Sequence, residues 1–330
     1  MTHDDSRAPL SRRAFGRTLA LGAAGAALTP AVAHALTSDV PGSATIAAPT
    51  GAPTGAPAGP TSRAPLDALD TRDALGSQDP MMRTMQRFVD DLADGNAAMK
   101  ERIAPTTPRT IAMMAYPGMY PLDLLGPLTV FSDLLNTQVH LVWKTRMAVP
   151  AGRGVTVQTI PFSECPAALD VLFVPGGTVG TLAAMADPEV LGFLRDRAPR
   201  AKYVTSVCTG SLVLAAAGLL EGYQATSHWL VHDLLVRYGA TPVRARVVED
   251  RNRITGAGVT AGLDFALTLT ARLAGDNYAK AETLNIEYDP APPFDAGTEE
   301  GAGPLVSGAM RRMYATARDA FVAAASRPGR

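Results

Sequence analysis

Residues 202–219 read KYVTSVCTGSLVLAAAGL, and this stretch changes secondary structure near Cys208. The β-branched run 204–207 favours a strand, and the apolar, alanine-rich run 212–219 favours a helix. The small residues 209–211 between them allow the backbone to turn sharply. A cysteine on a strand-to-helix turn resembles a nucleophile elbow, and a helix N-terminus is expected to favour its thiolate. The alternative is a buried structural cysteine at a strand end.

The composition is that of a globular protein with balanced charge. The chain has 330 residues, of which 47% are hydrophobic and 18% charged, and its formal net charge is −1. A chain of this length can bury a large α/β core. Because the sequence lacks the basic surplus typical of nucleic-acid binding, we expect a small-molecule substrate and no nucleic acid.

Residues 1–35 have the pattern of a twin-arginine export signal. The pair Arg12-Arg13 precedes the apolar run 18–28 and the cleavage-like triplet 33–35. This run is too short and too rich in glycine and alanine for a membrane span, so we expect none in the mature chain. The pattern predicts a periplasmic or secreted protein that begins at Leu36. A basic, disordered tail is the alternative.

Two further segments precede the main domain. Residues 36–77 are mostly Pro, Gly, Ala, Ser and Thr, a composition that predicts a disordered spacer. Residues 78–108 begin with Asp79-Pro80, a helix-start signal, and carry apolar residues at helical spacing. They predict a short helical lead-in, which we expect to lie outside the main domain.

Residues 109–300 alternate between strand and helix patterns. Apolar runs typical of buried parallel strands occur at 111–115, 138–143, 168–174 and 204–207. The residues between several of these runs favour helices, whereas 155–160 alternates like an exposed hairpin or edge strand. The pattern predicts an α/β fold, a doubly wound and mostly parallel sheet with helices on both faces. Residues 301–330 predict a C-terminal helix.

Three loops should meet at the carboxyl ends of the strands, where ligands bind in such folds. They are 117–123, the pair Gly176-Gly177, and the turn at Cys208. Asp123 would place a carboxylate there, although helix capping is the better explanation when this residue is taken by itself. Gly176-Gly177 could present backbone N–H groups to a developing anion, although the same residues also form an ordinary turn. Their convergence predicts an active site.

The cysteines and histidines indicate neither a disulfide nor a metal site. Cys165 precedes a core strand and Cys208 follows its neighbour, so parallel pairing puts them at opposite ends. About five residues at roughly 3.3 Å each exceed the roughly 7 Å between Cα atoms that a disulfide allows. The spacing of His228 and His232 alone is weak evidence for zinc. We therefore expect free thiols, no metal and no cofactor, and we treat His228 as a candidate substrate-binding residue.

Several stretches resemble the ThiJ/PfpI family of the class I glutamine amidotransferase-like superfamily. The resemblance covers residues 109–300 and extends to the family members that hydrate isonitriles. It rests on YVTSVCTGS at 203–211, ATSHW at 225–229, ITGAGVTAGLD at 254–264, VHLVWK at 139–144 and LNIEYDPAPPF at 284–294. It implies a flavodoxin-like fold and a homodimer.

The resemblance also assigns roles to single residues. It implies that Cys208 is the nucleophile, Asp123 the acidic partner and Thr209 a third catalytic residue, with a backbone N–H from Gly177. Ser227 stands where these members usually have a second threonine. The export signal is a larger departure, because the family enzyme is usually cytoplasmic.

The expected reaction is hydration of an isonitrile to an N-substituted formamide. A thiolate can add to the terminal carbon, forming a thioimidate on Cys208, and Asp123 can supply and remove protons. Two alternatives stay open. One is an enzyme acting on another small electrophile, such as a reactive aldehyde. The other is a non-catalytic sensor, although no basic helix-turn-helix module follows in residues 304–326.

Overall fold

The computed structural model of this protein describes residues 80–152 and 154–326. The predicted export signal (1–35) and spacer (36–77) lie outside the described residues. Residues Met1–Met85 and Gln86–Arg330 form separate units. Apart from the first turns of one helix, the description below concerns the second unit.

The strands and helices alternate along the chain as the apolar runs predict. The strands are β1 (Arg109–Met114), β2 (Thr137–Trp143), β3 (Ala148–Gly152), β4 (Val155–Gln158), β5 (Ile160–Pro161), β6 (Leu169–Val174), β7 (Ala201–Val207), β8 (Gln224–Ala225), β9 (Thr241–Pro242), β10 (Val247–Asp250) and β11 (Arg253–Gly256). The helices are α1 (Pro80–Ala93), α2 (Ala97–Ile103), α3 (Pro121–Ser132), α4 (Thr178–Ala186), α5 (Pro188–Arg197), α6 (Gly210–Ala216), α7 (Ala261–Ala274), α8 (Asp276–Asn285), α9 (Glu299–Met313) and α10 (Ala315–Ala324).

A seven-stranded sheet forms the centre of the fold, in the order β10-β11-β7-β6-β1-β2-β5. Every neighbouring pair is parallel except β10–β11, which is antiparallel. The inner strands are buried almost throughout, because helices surround the sheet and leave no polar face. The predicted α/β fold with a doubly wound, mostly parallel sheet is confirmed.

The segment 155–160 supplies two of the smaller features. β4 pairs with β3 in an antiparallel hairpin, and β5 pairs with β2 as the edge strand of the large sheet. The segment therefore forms both a hairpin and an edge strand, the two structures that its alternating pattern suggested.

The lead-in forms two helices, α1 and α2, but the expectation that it lies outside the main domain is wrong for α2 and for the last turns of α1. Ile103, at the end of α2, is fully buried, and Arg102 Nη2 donates to the carbonyls of Ala271 and Arg272, at 3.2 and 2.9 Å. Asn277 Nδ2 likewise donates to the carbonyl of Leu92 in α1, at 3.1 Å. The helical spacing identifies an apolar stripe but does not say which surface covers it.

The C-terminal segment forms two helices where one was expected. The two helices, α9 and α10, meet at Tyr314. A further interruption lies inside α9, where Gly303 has φ 73° and is followed by Pro304, a residue without an N–H. Leu305 is 82% exposed, whereas Phe321 in α10 is fully buried, so the two helices do not share one buried apolar face. Within residues 80–152 and 154–326, no helix combines the length and apolar composition that a bilayer span needs.

Candidate active site

The three predicted loops meet at Gly176, which follows β6. A Cβ atom on Gly176 would lie 2.7 Å from Asp123 Oδ2, 2.7 Å from the Thr209 backbone nitrogen and 2.8 Å from Cys208 Cβ. Asp123 comes from the loop after β1, and Cys208 and Thr209 come from the turn after β7. The carboxyl ends of three adjacent parallel strands therefore bring these residues into direct contact around a position that only glycine can fill.

Cys208 occupies the elbow in a backbone conformation that cysteine rarely adopts. Its φ of 59° lies in the left-handed region, which costs a non-glycine residue about 1–3 kcal/mol. Its N–H donates to the carbonyls of Gly256 and Ala257, at 3.1 and 2.9 Å. Its carbonyl accepts from the hydroxyls of Ser211 and Ser227, at 3.2 and 3.1 Å. Ser227 thus keeps the hydroxyl of the threonine that it replaces, and these bonds hold the strained turn.

Asp123 is the third residue of α3, but the structure does not use it as a helix cap. Its side chain is fully buried, and Oδ2 accepts the N–H of Gly176 at 3.1 Å. Its other oxygen, Oδ1, has no hydrogen-bond partner among the described residues. Burial raises the pKa of Asp123 to about 7, although the Cys208 thiol and the Gly176 N–H favour the carboxylate and limit the rise. This carboxyl group can therefore both give and take a proton near neutral pH.

The electrostatics of Cys208 differ from the expected thiolate. Burial raises the pKa of its thiol well above the ordinary value, and the neighbouring Asp123 charge raises it further. The N–H groups of Thr209 and Val259 point at the sulfur and favour the thiolate, but they do not outweigh burial. The resting group is a thiol next to a carboxyl group, so activating the sulfur requires passing its proton to a base.

Thr209 belongs to a chain of buried hydroxyl groups. Its Oγ1 accepts the N–H of Gly177 at 3.0 Å and lies 2.7 Å from Thr181 Oγ1. Thr181 Oγ1 lies 3.1 Å from the hydroxyl of Tyr116, which donates to the carbonyl of Pro175 at 2.7 Å. The Gly177 N–H thus positions Thr209 and is not directed at an oxyanion in this structure.

Sequence reasoning missed Tyr116 and Thr181. Thr181 reads as an ordinary residue of α4, and Tyr116 reads as the end of an apolar run. One signal was available: Tyr116 directly follows a core strand at the edge where ligands bind, and a buried tyrosine needs a partner for its hydroxyl.

His228 lies beside the cysteine loop and forms no hydrogen bond with the Asp123 carboxyl group. Its Cδ2 would lie 2.9 Å from a Cβ on Gly258, the residue before Val259. His228 Nδ1 accepts the N–H of Leu230 at 3.3 Å, and burial lowers its pKa to about 4. The imidazole is therefore neutral near pH 7, with its hydrogen on Nε2.

Both cysteines are free thiols, as the parallel strands predict. Cys165 is buried before β6, where the guanidinium of Arg197 donates to its carbonyl at 3.2 Å. In residues 80–152 and 154–326, no three or more His, Cys, Asp and Glu side chains are grouped in a way that could hold a metal ion.

Known proteins resemble this chain over the same region. The model of the DJ-1/PfpI family matches residues 109–272. The isonitrile hydratase of Pseudomonas putida is 50% identical over 207 residues, which cover 62% of this chain and 90% of that protein. The transcriptional regulator GbdR of Pseudomonas aeruginosa is 35% identical over 141 residues, which cover 42% of this chain and 38% of the regulator.

A solved structure agrees in both sequence and fold. The crystal structure of a ThiJ/PfpI family protein from Pseudomonas syringae is 49% identical, with a TM-score of 0.66, and the match covers 69% of this chain and 95% of that one. The alignment with the isonitrile hydratase is 50% identical and covers nine-tenths of that protein, and the solved family member has the same fold. The chain therefore belongs to the DJ-1/PfpI family.

Proposed function

We propose that this protein is a hydro-lyase that adds water to an isonitrile and releases an N-substituted formamide. The observation that carries the proposal is the buried pair of the Cys208 thiol and the Asp123 carboxyl group, whose pKa lies near 7. The relative that is 50% identical and named isonitrile hydratase supports the choice of substrate. A carboxyl group titrating near neutral pH suits a reaction that needs both an acid and a base.

The first half of the reaction forms a covalent intermediate. Cys208 Sγ attacks the terminal carbon of R–N≡C, and its proton passes to the Asp123 carboxylate as the S–C bond forms. Asp123 then delivers that proton to the same carbon. The product is the thioimidate R–N=CH–S on Cys208, which contains the atoms of the isonitrile and the thiol and nothing else.

The second half adds water and releases the enzyme. Asp123 removes a proton from a water molecule as the water oxygen attacks the thioimidate carbon. Asp123 then passes that proton to the thioimidate nitrogen. The C–S bond then breaks, the sulfur recovers a proton from the new hydroxyl, and R–NH–CHO leaves. The N–H groups of Thr209 and Val259, which favour the thiolate, can stabilise the departing sulfur. Thr209 thus acts through its backbone, and its hydroxyl holds the loop.

A second candidate function is ligand sensing without turnover, because GbdR is a transcriptional regulator and 35% identical over part of its length. The same assay separates the two functions. A sensor binds the isonitrile and returns it unchanged, whereas a hydratase releases a formamide. A panel that also contains reactive aldehydes tests the remaining alternative within the enzyme class.

The nucleophile can be tested directly. We expect folded Cys208→Ala to release no formamide from an aliphatic isonitrile, because no thioimidate can form, while Cys165→Ser turns over at the wild-type rate. Mass spectrometry of the wild type during turnover should show an adduct of one isonitrile, which Cys208→Ala should lack. Circular dichroism confirms folding. Wild-type turnover by folded Cys208→Ala would contradict the covalent mechanism.

We also propose that the protein is exported and forms a homodimer. Arg12-Arg13 and the apolar run after it support export. The family resemblance supports the homodimer.

A further inference from the structure

A charged cavity of about 260 Å³ lies beside the C-terminal helices. Trp229 and Asp233 line it from the segment before and within the 3₁₀ turn His232–Tyr238, and Arg244 from the loop after β9. Glu299 and Arg311 of α9 and Arg318 of α10 line the opposite side. The proposed mechanism uses none of these side chains.

The charges in this cavity leave one cation unmatched. Arg318 forms two hydrogen bonds with the Asp233 carboxylate, at 2.7 and 3.1 Å. Arg311 Nε pairs with Glu299 Oε1 at 2.7 Å. Arg244 has neither an ion-pair nor a hydrogen-bond partner in the part of the chain that the structure describes. Two carboxylates are thus neutralised, and a single guanidinium remains available to an incoming group.

The other wall of the cavity is aromatic. The Trp229 ring is half-buried and packs edge-on against Tyr314, with ring centroids 6.4 Å apart. This contact fixes the indole, so that it can receive a flat apolar group. A planar guanidinium can bind a carboxylate through two parallel hydrogen bonds. A dianionic phosphate is less suited, because Arg311 and Arg318 are already paired with Glu299 and Asp233, and Arg244 alone balances one negative charge.

Consecutive residues connect the Trp229 wall of the cavity to the loop around Cys208. Trp229 follows His228, and their ring centroids lie 5.6 Å apart. The His228 ring packs on Gly258, and the next residue, Val259, directs its N–H at the Cys208 sulfur. Trp229 is therefore linked to the Cys208 sulfur by the His228 ring and the Gly258-Val259 backbone.

We propose that this cavity binds a small organic carboxylate, which pairs with Arg244 and packs its apolar part on Trp229. The carboxylate belongs either to the substrate itself or to a separate ligand that binds next to it. The first possibility, that the carboxylate is part of the substrate, rests on the proposed function. The existence of the binding site does not.

Binding can be measured without turnover. In a Cys208→Ala and Trp143→Phe background, Trp229 is the only tryptophan of the chain, and its fluorescence reports on the cavity. We expect benzoate to change this fluorescence saturably and the neutral isostere benzamide to bind more weakly. Arg244→Gln should weaken benzoate binding about fivefold to tenfold, because Arg244 is exposed and its pairing is partly screened. Arg200→Gln, an exposed arginine outside the cavity, should leave it unchanged.

Equal binding of benzoate and benzamide, or unchanged benzoate binding in Arg244→Gln, would overturn the proposal. Inhibition of the hydration of a neutral isonitrile then identifies the source of the carboxylate. If Arg244→Gln raises KM only for an isonitrile that carries a carboxylate, the carboxylate belongs to the substrate. If benzoate changes kcat for the neutral isonitrile without competing, it is a separate ligand. Benzoate binding without turnover of any isonitrile would contradict the proposed function alone.

Discussion

Asp123 is suited to two opposite proton transfers because burial and hydrogen bonding act on it in opposite directions. Full burial disfavours its charge, and the Gly176 N–H at 3.1 Å and the Cys208 thiol favour it. The balance leaves a pKa of about 7, against an ordinary value of 3.8. The same balance places an energetic cost on the folded protein whenever Asp123 is ionised.

The first consequence concerns catalysis. Asp123→Asn keeps the shape of the side chain and an oxygen that can accept the Gly176 N–H, but it cannot carry a proton. We expect formamide release to fall by about 10²–10⁴-fold, the range typical of a lost general acid or base. Initial rates with an aliphatic isonitrile measure the loss. Asp196→Asn, a change at an exposed carboxylate, serves as the control and should keep the wild-type rate. A rate within a few-fold of wild type for Asp123→Asn would exclude the acid–base role.

The second consequence concerns stability. Because the pKa of Asp123 is higher in the folded than in the unfolded state, the folded state binds more protons between about pH 4 and pH 7. Its contribution to the free energy of unfolding is therefore greatest below this window and is lost as the pH rises through 7. The loss is at most about 4 kcal/mol. We expect urea denaturation at pH 5 and pH 8 to show a smaller stability difference in Asp123→Asn than in the wild type; equal differences would contradict the raised pKa.

At the scale of elements, the elbow depends on how closely α6 begins against the end of β6. A Cβ on Gly210 would lie 2.6 Å from the carbonyl oxygen of Pro175 and still closer to that of Val174. These are backbone atoms of the last residue of a core strand and of the residue after it, which cannot move aside at low cost. The position of Cys208, two residues earlier, is therefore tied to the packing of a single glycine.

A matched pair of glycine substitutions tests this dependence. Gly210→Ala should force α6 away from β6, lower the free energy of unfolding by about 1–3 kcal/mol and reduce turnover, because the elbow moves. Gly192→Ala lies inside α5, where a Cβ meets nothing within 4 Å. It should raise stability by up to about 1 kcal/mol through helix propensity and leave turnover unchanged. Urea denaturation and initial rates measure both effects, and wild-type behaviour of Gly210→Ala would show that the elbow tolerates displacement.

Strands and helices could be predicted from the sequence where the order of apolar and polar residues determines the secondary structure. The run 168–174 predicts a buried strand in a chain that alternates strand and helix, and the change of pattern at Cys208 locates the elbow. The packing of α2 could not be predicted, because an apolar stripe on a helix does not show which surface of the protein will cover it. Nor could the break at Gly303-Pro304, because residues 305–321 continue a helical pattern beyond it.

At the scale of the whole molecule, the topology assembles a site from distant residues. The order β7-β6-β1 places the loops after three adjacent strands together, so Asp123, Gly176 and Cys208 meet although they are far apart in the chain. This convergence follows from the strand pattern. The pKa values do not, because they depend on how completely helices cover the edge. The dipole argument predicted a thiolate at Cys208, but burial has the larger effect.

Export is the remaining prediction at this scale, and the buried thiols bear on it. Cys208 is 6% exposed and Cys165 4%, so a chain that folds before export reaches an oxidising compartment with both sulfurs covered. Twin-arginine export carries folded proteins, which is consistent with the Arg12-Arg13 pair. We expect replacement of both arginines by lysine to retain active protein in the cytoplasm, whereas Arg7→Lys, outside the pair, should be exported normally. Cell fractionation with an activity assay on each fraction measures both, and export of the double-lysine variant at the wild-type level would rule out the twin-arginine route.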